Sequence, residues 1–131
     1  MQNQCPFGSG VSYQNCCEPI ISGKKNAETA QKLMRSRYTA FTQANTDYLM
    51  LSHSVKTRPI KERKSIEKWA KSVNWMGLTI LQTQAGDAGD EIDYVEFRAL
   101  YLENGNVEQI HEKSLFEREK GKWVYVSGEH F

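Results

Sequence analysis

The sequence lacks a long hydrophobic run and carries almost no net charge. No stretch reaches the ~20 consecutive apolar residues of a membrane helix, and the first residues, MQNQCPFGSG, have neither the basic end nor the apolar run of a signal peptide. Lys and Arg number 17 against 16 Asp and Glu, so the formal charge of +1 provides no overall attraction to nucleic acid or anionic lipid. We therefore expect a cytoplasmic protein with neither a membrane nor a nucleic acid as its partner.

A local basic run is the exception to this charge balance, and two glutamates, Glu62 and Glu67, interrupt it. We interpret the run as the solvated face of a helix, because charge runs on helices usually face water. Its basic members are Lys56, Arg58, Lys61, Arg63, Lys64, Lys68 and Lys71.

Cysteine is scarce, and all three cysteines lie within the first 17 residues. A secreted disulfide scaffold carries an even number of cysteines spread along the chain, so this pattern excludes that class. Adjacent Cys16 and Cys17 can form only a strained disulfide ring, which argues against redox chemistry. The pattern indicates a metal site or thiol chemistry.

The composition indicates one globular domain after a short arm. The chain has 131 residues, of which 39% are hydrophobic and 25% charged, as is ordinary for a folded protein of one domain. Residues 1–23 are rich in Cys, Gly, Ser, Pro and Asn and predict an arm without regular structure. Residues 24–131 predict the domain itself.

Three helices are predicted in the first half of the domain. Apolar residues at helical spacing indicate a helix over about residues 27–44, with Asn26 as its N-cap. A shorter helix follows over 47–52, with Thr46 as its cap. Pro59 blocks its continuation and precedes a third helix over about 60–72, which places Trp69 on the apolar side.

Four strands are predicted in the second half. Alternating apolar residues indicate strands over about 75–83, 95–102, 107–117 and 123–126. Asn104-Gly105 predicts a tight hairpin turn, since both residues tolerate positive φ, and Lys120-Gly121 predicts a second one. Helices followed by an antiparallel meander define an α+β fold, with the first helix across the concave face of a curved sheet.

The arm resembles the SEC-C zinc knuckle. Residues 5–17, CPFGSGVSYQNCC, carry the Gly-Ser-Gly turn of that motif, and Cys5, Cys16 and Cys17 fall at three of its four ligand positions. Phe7 occupies the remaining position, and a structural zinc ion requires four ligands. The resemblance therefore implies either no metal or a zinc ion whose fourth ligand is water, a partner's side chain or one of the histidines, His53, His111 and His130.

The domain resembles the YchJ-like (UPF0225) family. The resemblance rests on residues 33–41 (LMRSRYTAF), 47–49 (DYL), 111–116 (HEKSLF) and 121–128 (GKWVYVSG). It implies an NTF2-like fold, in which three helices pack on a curved four-stranded antiparallel sheet to form a cone. YchJ-like proteins have no settled activity, and the fold by itself does not define one.

Four residues are candidates for binding a ligand in such a cone: Arg37, Glu112, Ser114 and Trp69. Arg37 borders the apolar stripe of the first helix, where it either pairs with a carboxylate of the sheet, such as Glu112, or binds a carboxylate or phosphate. Adjacent His111 and Glu112 face opposite sides of a strand, so they cannot form a dyad in one pocket. We therefore predict no catalytic residue.

Two functions remain open from the sequence. The first is a binding or adaptor module that contacts a protein partner through the arm. The second is a small-molecule-binding protein or enzyme that uses the cone. A deep pocket with buried polar groups would favour the second function, whereas a cone filled with packed side chains would remove it.

Overall fold

The computed structural model describes residues 17–83 and 90–130, which form four α-helices and four strands. The helices are α1 (Glu18–Ile21), α2 (Ala30–Thr42), α3 (Thr46–Leu51) and α4 (Arg63–Ser72), and a 3₁₀ turn, Ile60–Glu62, precedes α4. The strands are β1 (Asn74–Thr83), β2 (Ile92–Glu103), β3 (Asn106–Glu119) and β4 (Lys122–His130). The predicted α+β class is confirmed.

The strands form one antiparallel meander in the order β1-β2-β3-β4. Both predicted tight turns are present. Asn104 and Gly105 have φ of 53° and 81°, and Lys120 and Gly121 have φ of 53° and 79°. Two successive positive φ angles match the right-handed twist of the strands that they connect, so these turns set the register of both hairpins.

The helices differ from the prediction at their starts. Helix α2 begins three residues later than expected, and its N-cap is Thr29 rather than Asn26, because the Thr29 hydroxyl accepts a hydrogen bond from Lys32 N at 3.1 Å. The N-cap of α3 is Asn45 rather than Thr46, and the Asn45 amide oxygen accepts from Tyr48 N at 3.1 Å. Each cap satisfies an amide that the first helical turn leaves without a partner.

The core lies between α2 and the inner face of the sheet. Helix α2 contributes Ala30, Leu33, Met34 and Tyr38, which are all buried. Facing them are the buried apolar residues of the sheet: Val95, Phe97, Ala99, Phe116 and Trp123. Alternate residues of β2 and β3 thus point inward, as the strand period requires.

The described end of the arm belongs to the same core. We predicted no regular structure before residue 24, but α1 forms one turn there, with Pro19 near its start, where the missing amide costs nothing. Cys17 is 2% exposed and lies in the core cluster, and Ile20 and Ile21 pack against it. Within the described residues, no helix is both long and apolar enough to cross a membrane.

Candidate functional site

The inner face of the sheet and helices α2, α3 and α4 enclose a cavity of about 270 Å³. Most of its lining is apolar, while one end carries Arg37, His53, Glu112, Tyr125 and His130, which we call the polar end. The apolar part of the lining consists of Met34, Tyr38, Phe41, Leu49, Met50, Pro59, Ile66, Trp69, Trp75, Phe97, Ala99 and Ile110. Apolar walls with a few convergent polar groups are typical of small-molecule sites.

Aromatic rings from α2, α4 and β1 form one wall of the cavity. Trp69 and Trp75 meet edge to face with centroids 5.3 Å apart, and Phe41 lies 5.8 Å from Trp75 and 6.5 Å from Trp69. Tyr38 contacts Trp75 at 5.7 Å. Edge-to-face pairs of this kind stabilise one another beyond their burial, so the wall keeps a fixed shape.

Arg37 is the buried cation of the polar end. Its side chain leaves α2 toward the cavity, and the residue is 6% exposed. Nη1 donates to Leu49 O at 2.9 Å and to Ser52 Oγ at 2.7 Å. Burial lowers the pKa of Arg37 to about 10, so the guanidinium remains charged at neutral pH.

Two donor groups of Arg37 are left over. Nε and Nη2 make no hydrogen bond within residues 17–83 and 90–130. The predicted ion pair between Arg37 and a carboxylate of the sheet is also absent from the described residues. Nη1 of Arg37 donates to the Leu49 carbonyl and to the Ser52 hydroxyl instead. Because Arg37 lines the cavity, its unused donors are available to a ligand.

Glu112 is the buried anion of the polar end. It lies on β3, is 6% exposed, and accepts two side-chain hydrogen bonds. Ser114 Oγ and Tyr125 Oη donate to Oε2, the latter at 3.0 Å, and His130 Nε2 lies 3.1 Å from Oε1. Several donors are what a buried carboxylate requires.

Gly128 makes room for this carboxylate. It lies opposite Ser114 on β4, and a Cβ atom at this position would collide with the side chain of Glu112. A glycine in the middle of a strand often marks such a close approach. That signal was present in the sequence, but our predictions did not use it.

His53 and Tyr125 complete the polar end, and the sequence analysis did not select either of them for the cone. The rings meet edge to face with centroids 5.0 Å apart, and His53 Nε2 lies 3.0 Å from Thr57 Oγ1. Burial and then the charges of Arg37 and Arg58 lower the pKa of His53 to about 4, so the imidazole is neutral at pH 7. Burial, followed by the charge of Glu112, raises the pKa of Tyr125, which therefore stays protonated.

Backbone pairing brings these two residues together. Ser54 N donates to Tyr125 O at 2.7 Å, and Tyr125 N donates to Ser52 O at 2.9 Å. The segment after α3 thereby joins the outer edge of β4. No local sequence pattern predicts a contact between residues so distant in sequence. This explains why the sequence analysis did not place His53 in the cone.

Three of the four predicted ligand-binding residues line the same cavity. Arg37, Glu112 and Trp69 face it, whereas the fully buried Ser114 is not among its described lining residues and instead holds Glu112 in place. His111 bonds Glu96 at 2.7 Å on the other face of β3. The structure therefore agrees that His111 and Glu112 do not share a pocket.

The knuckle contributes one described cysteine. Cys5 and Cys16 lie outside the described residues, as does most of the arm for which we predicted a protein contact. The thiol of Cys17 lies 3.2 Å from Thr39 Oγ1. With Phe7 at one ligand position, the residues of the motif supply three of the four ligands of a closed zinc site, so they do not by themselves fit structural zinc.

An open antiparallel sheet that curves around a helix and encloses a cavity defines the NTF2-like class of proteins, and comparisons with known proteins agree. The family model described as "YchJ, middle NTF2-like domain" matches residues 29–128. The chain therefore belongs to the YchJ family, also designated UPF0225 in its curated relatives. The resemblance proposed from the sequence is confirmed.

Relatives match along nearly the whole chain. A UPF0225 protein of Geobacter sulfurreducens is 39% identical over 98% of this chain and 80% of its own length. UPF0225 protein YchJ of Shigella dysenteriae is 38% identical over 98% of this chain and 84% of its own.

Two solved structures are similar, and each is described as a SEC-C motif containing protein. The one from Rhodopseudomonas palustris gives a TM-score of 0.87 at 27% identity and covers 97% of this chain and 98% of that protein. The one from Psychrobacter arcticus gives 0.81 at 27% identity, with 94% and 80% covered. Neither description names a ligand.

Proposed function

We propose that this protein binds a small, largely aromatic molecule inside the cone. One observation carries the proposal: a buried, charged Arg37, two of whose donor groups have no hydrogen-bond partner among the described residues, lines a cavity whose other walls are mostly apolar. A buried charge without full pairing is costly, and such groups concentrate at functional sites.

The size of the cavity limits the ligand. Its volume of about 270 Å³ is near the lower end of the range for small-molecule pockets, roughly 300–1,000 Å³. One or two fused rings suit this space better than a drug-sized molecule. The aromatic wall of Phe41, Trp69 and Trp75 offers the ring system a matching apolar surface.

The geometry supports binding better than catalysis. Glu112 already accepts hydrogen bonds from Ser114 and Tyr125 and contacts His130, and His53 Nε2 lies within hydrogen-bonding distance of Thr57. These contacts hold the titratable groups of the polar end in place. Contact between the arm and a protein partner remains a second prediction, and it concerns residues that the structure does not describe.

Tryptophan fluorescence tests the proposal directly, because Trp69 and Trp75 line the cavity. Quinoline, a neutral molecule of two fused rings, should quench the fluorescence saturably. Ala99→Phe should abolish the effect by filling the cavity from β2. Leu100→Phe is the matched control, because Leu100 is the next residue of the strand and is exposed on its other face. No saturable quenching of the wild-type protein, or equal quenching of both variants, would contradict the proposal.

A further inference from the structure

The polar end of the cavity offers hydrogen-bond donors and an acceptor at separate places. The guanidinium of Arg37 lies over the face of the Tyr125 ring, with Cζ 4.6 Å from the centroid. The Glu112 carboxylate instead lies beyond the hydroxyl of the same ring, 3.0 Å from Oη. A ligand that contacts both groups therefore needs two polar atoms, an acceptor for Arg37 and a donor for Glu112.

Glu112 retains capacity to accept from a ligand. The two carboxylate oxygens together offer about four acceptor positions. Ser114 and Tyr125 take two of them at Oε2, while Oε1 faces His130, whose side chain is 67% exposed and can move into solvent. The position at Oε1 is thus the one that a ligand N–H group can occupy.

The charges at the polar end oppose an anionic ligand. Arg37 is positively charged and His53 is neutral at pH 7, and the carboxylate of Glu112 lies 3.0 Å from the hydroxyl of the Tyr125 ring that Arg37 covers. A carboxylate or phosphate near Arg37 would also face Glu112 in a site with little water, where repulsion is strong. Of the two roles that the sequence left open for Arg37, this argues against the binding of a carboxylate or phosphate, and it favours a neutral polar group.

We propose that the ligand is a flat cyclic amide, a lactam fused to an aromatic ring. Its carbonyl oxygen accepts from the unused donors of Arg37, and the adjacent N–H donates to Glu112 Oε1. The fused ring lies against the wall formed by Phe41, Trp69 and Trp75. This inference rests on the proposed function, since it specifies what the cone binds.

A series of bicyclic probes of similar size tests the inference at pH 7. Quinolin-2(1H)-one carries the carbonyl and the N–H, its N-methyl derivative lacks the donor, and 2-naphthol offers a single hydroxyl. Naphthalene-2-carboxylate is the anion, and quinoline lacks the amide. We expect quinolin-2(1H)-one to bind at least about tenfold more tightly than each of the other four probes. Each of those probes leaves a buried polar group of the site without its hydrogen-bond partner, which weakens binding.

Glu112→Gln provides the decisive variant. Ser114 and Tyr125 donate at the Oε2 position, so they should draw the amide oxygen of the substituted side chain there and leave its NH₂ group at the Oε1 position. The variant then presents a donor where the ligand N–H needs an acceptor. We expect it to lose the preference for quinolin-2(1H)-one over the N-methyl derivative while it still binds quinoline. Glu96→Gln, on the outer face of the sheet, is the control and should keep the preference.

The two proposals fail in different ways. Equal binding of quinolin-2(1H)-one and its N-methyl derivative, tighter binding of the carboxylate, or a preference that survives Glu112→Gln would overturn the lactam inference, even though saturable quinoline binding would leave the proposed function standing. Saturable binding of none of the five probes would overturn both.

Discussion

Arg37 and Glu112 both contact Tyr125, yet they form no ion pair with each other within the described residues. Arg37 lies over the Tyr125 ring with Cζ 4.6 Å from its centroid, and Glu112 accepts the Tyr125 hydroxyl at 3.0 Å. In a direct ion pair each charge would have satisfied the other. Because the tyrosine separates them, both remain able to contact a ligand.

The close approach of Gly128 to Glu112 predicts that a larger side chain at position 128 will destabilise the fold. Gly128→Ala should displace the Glu112 carboxylate and destabilise the fold by about 1–3 kcal/mol, as overpacking usually does. Urea unfolding measures the loss, with Ser127→Ala as the exposed neighbour for comparison. In a Glu112→Ala background the same substitution should cost much less, because its collision partner is gone. An equal cost in both backgrounds would show that the contact is not responsible.

The low pKa of His53 predicts a loss of stability in mild acid. Its pKa is about 4 in the folded protein against about 6.5 for an unfolded chain, so the unfolded state binds more protons between these values. The free energy of unfolding should therefore fall as the pH drops from 6.5 toward 4, by at most about 1.4 kcal/mol per pH unit from this residue.

Urea titrations between pH 4.5 and 7.5 measure this slope. His53→Gln should flatten it. If the wild-type protein and His53→Gln show the same slope, His53 does not cause the acid sensitivity.

The position of the first N-cap predicts different effects for two neighbouring polar residues. Thr29→Ala should destabilise the protein by about 1 kcal/mol, since the amide of Lys32 loses its acceptor. Asn26→Ala should change stability by less than about 0.5 kcal/mol. Thermal unfolding of both variants measures this difference in stability. A larger loss of stability for Asn26→Ala than for Thr29→Ala would instead support Asn26 as the N-cap, as predicted from the sequence.

The three cysteines of the knuckle predict that one substitution will raise the zinc content of the protein. Phe7→Cys supplies the missing fourth thiolate, so the purified variant should contain about one zinc ion per chain, and Cys16→Ser in that background should remove it. We expect clearly less zinc in the wild-type protein, measured by elemental analysis. A full equivalent of zinc in the wild-type protein, lost on Cys16→Ser, would instead reveal a fourth ligand outside the motif.

The sequence predicted the sheet better than the helix starts. Strand alternation and the Asn104-Gly105 turn are local signals, and both hairpins follow them. The start of α2 depended on a choice between Asn26 and Thr29, and both residue types are good caps. Propensity alone could not decide between them.

The site was predicted in part for the same reason. Arg37 was found because it borders the apolar stripe of the first helix, and Glu112 because it shares a strand face with Phe116. His53 was missed because its place in the cavity depends on pairing with Tyr125, which is far away in sequence. Ser114 was assigned to ligand binding, whereas its hydroxyl is used to hold Glu112.

The backbone bonds that join Ser52 and Ser54 to Tyr125 have a consequence for selectivity. They join the segment after α3 to the edge strand β4 beside the polar end. Arg37, His53 and Tyr125 are therefore held in place before any ligand binds. A preorganised site loses little conformational entropy on binding, and it cannot adjust to a poor fit. The cone should therefore discriminate among ligands by shape at its polar end.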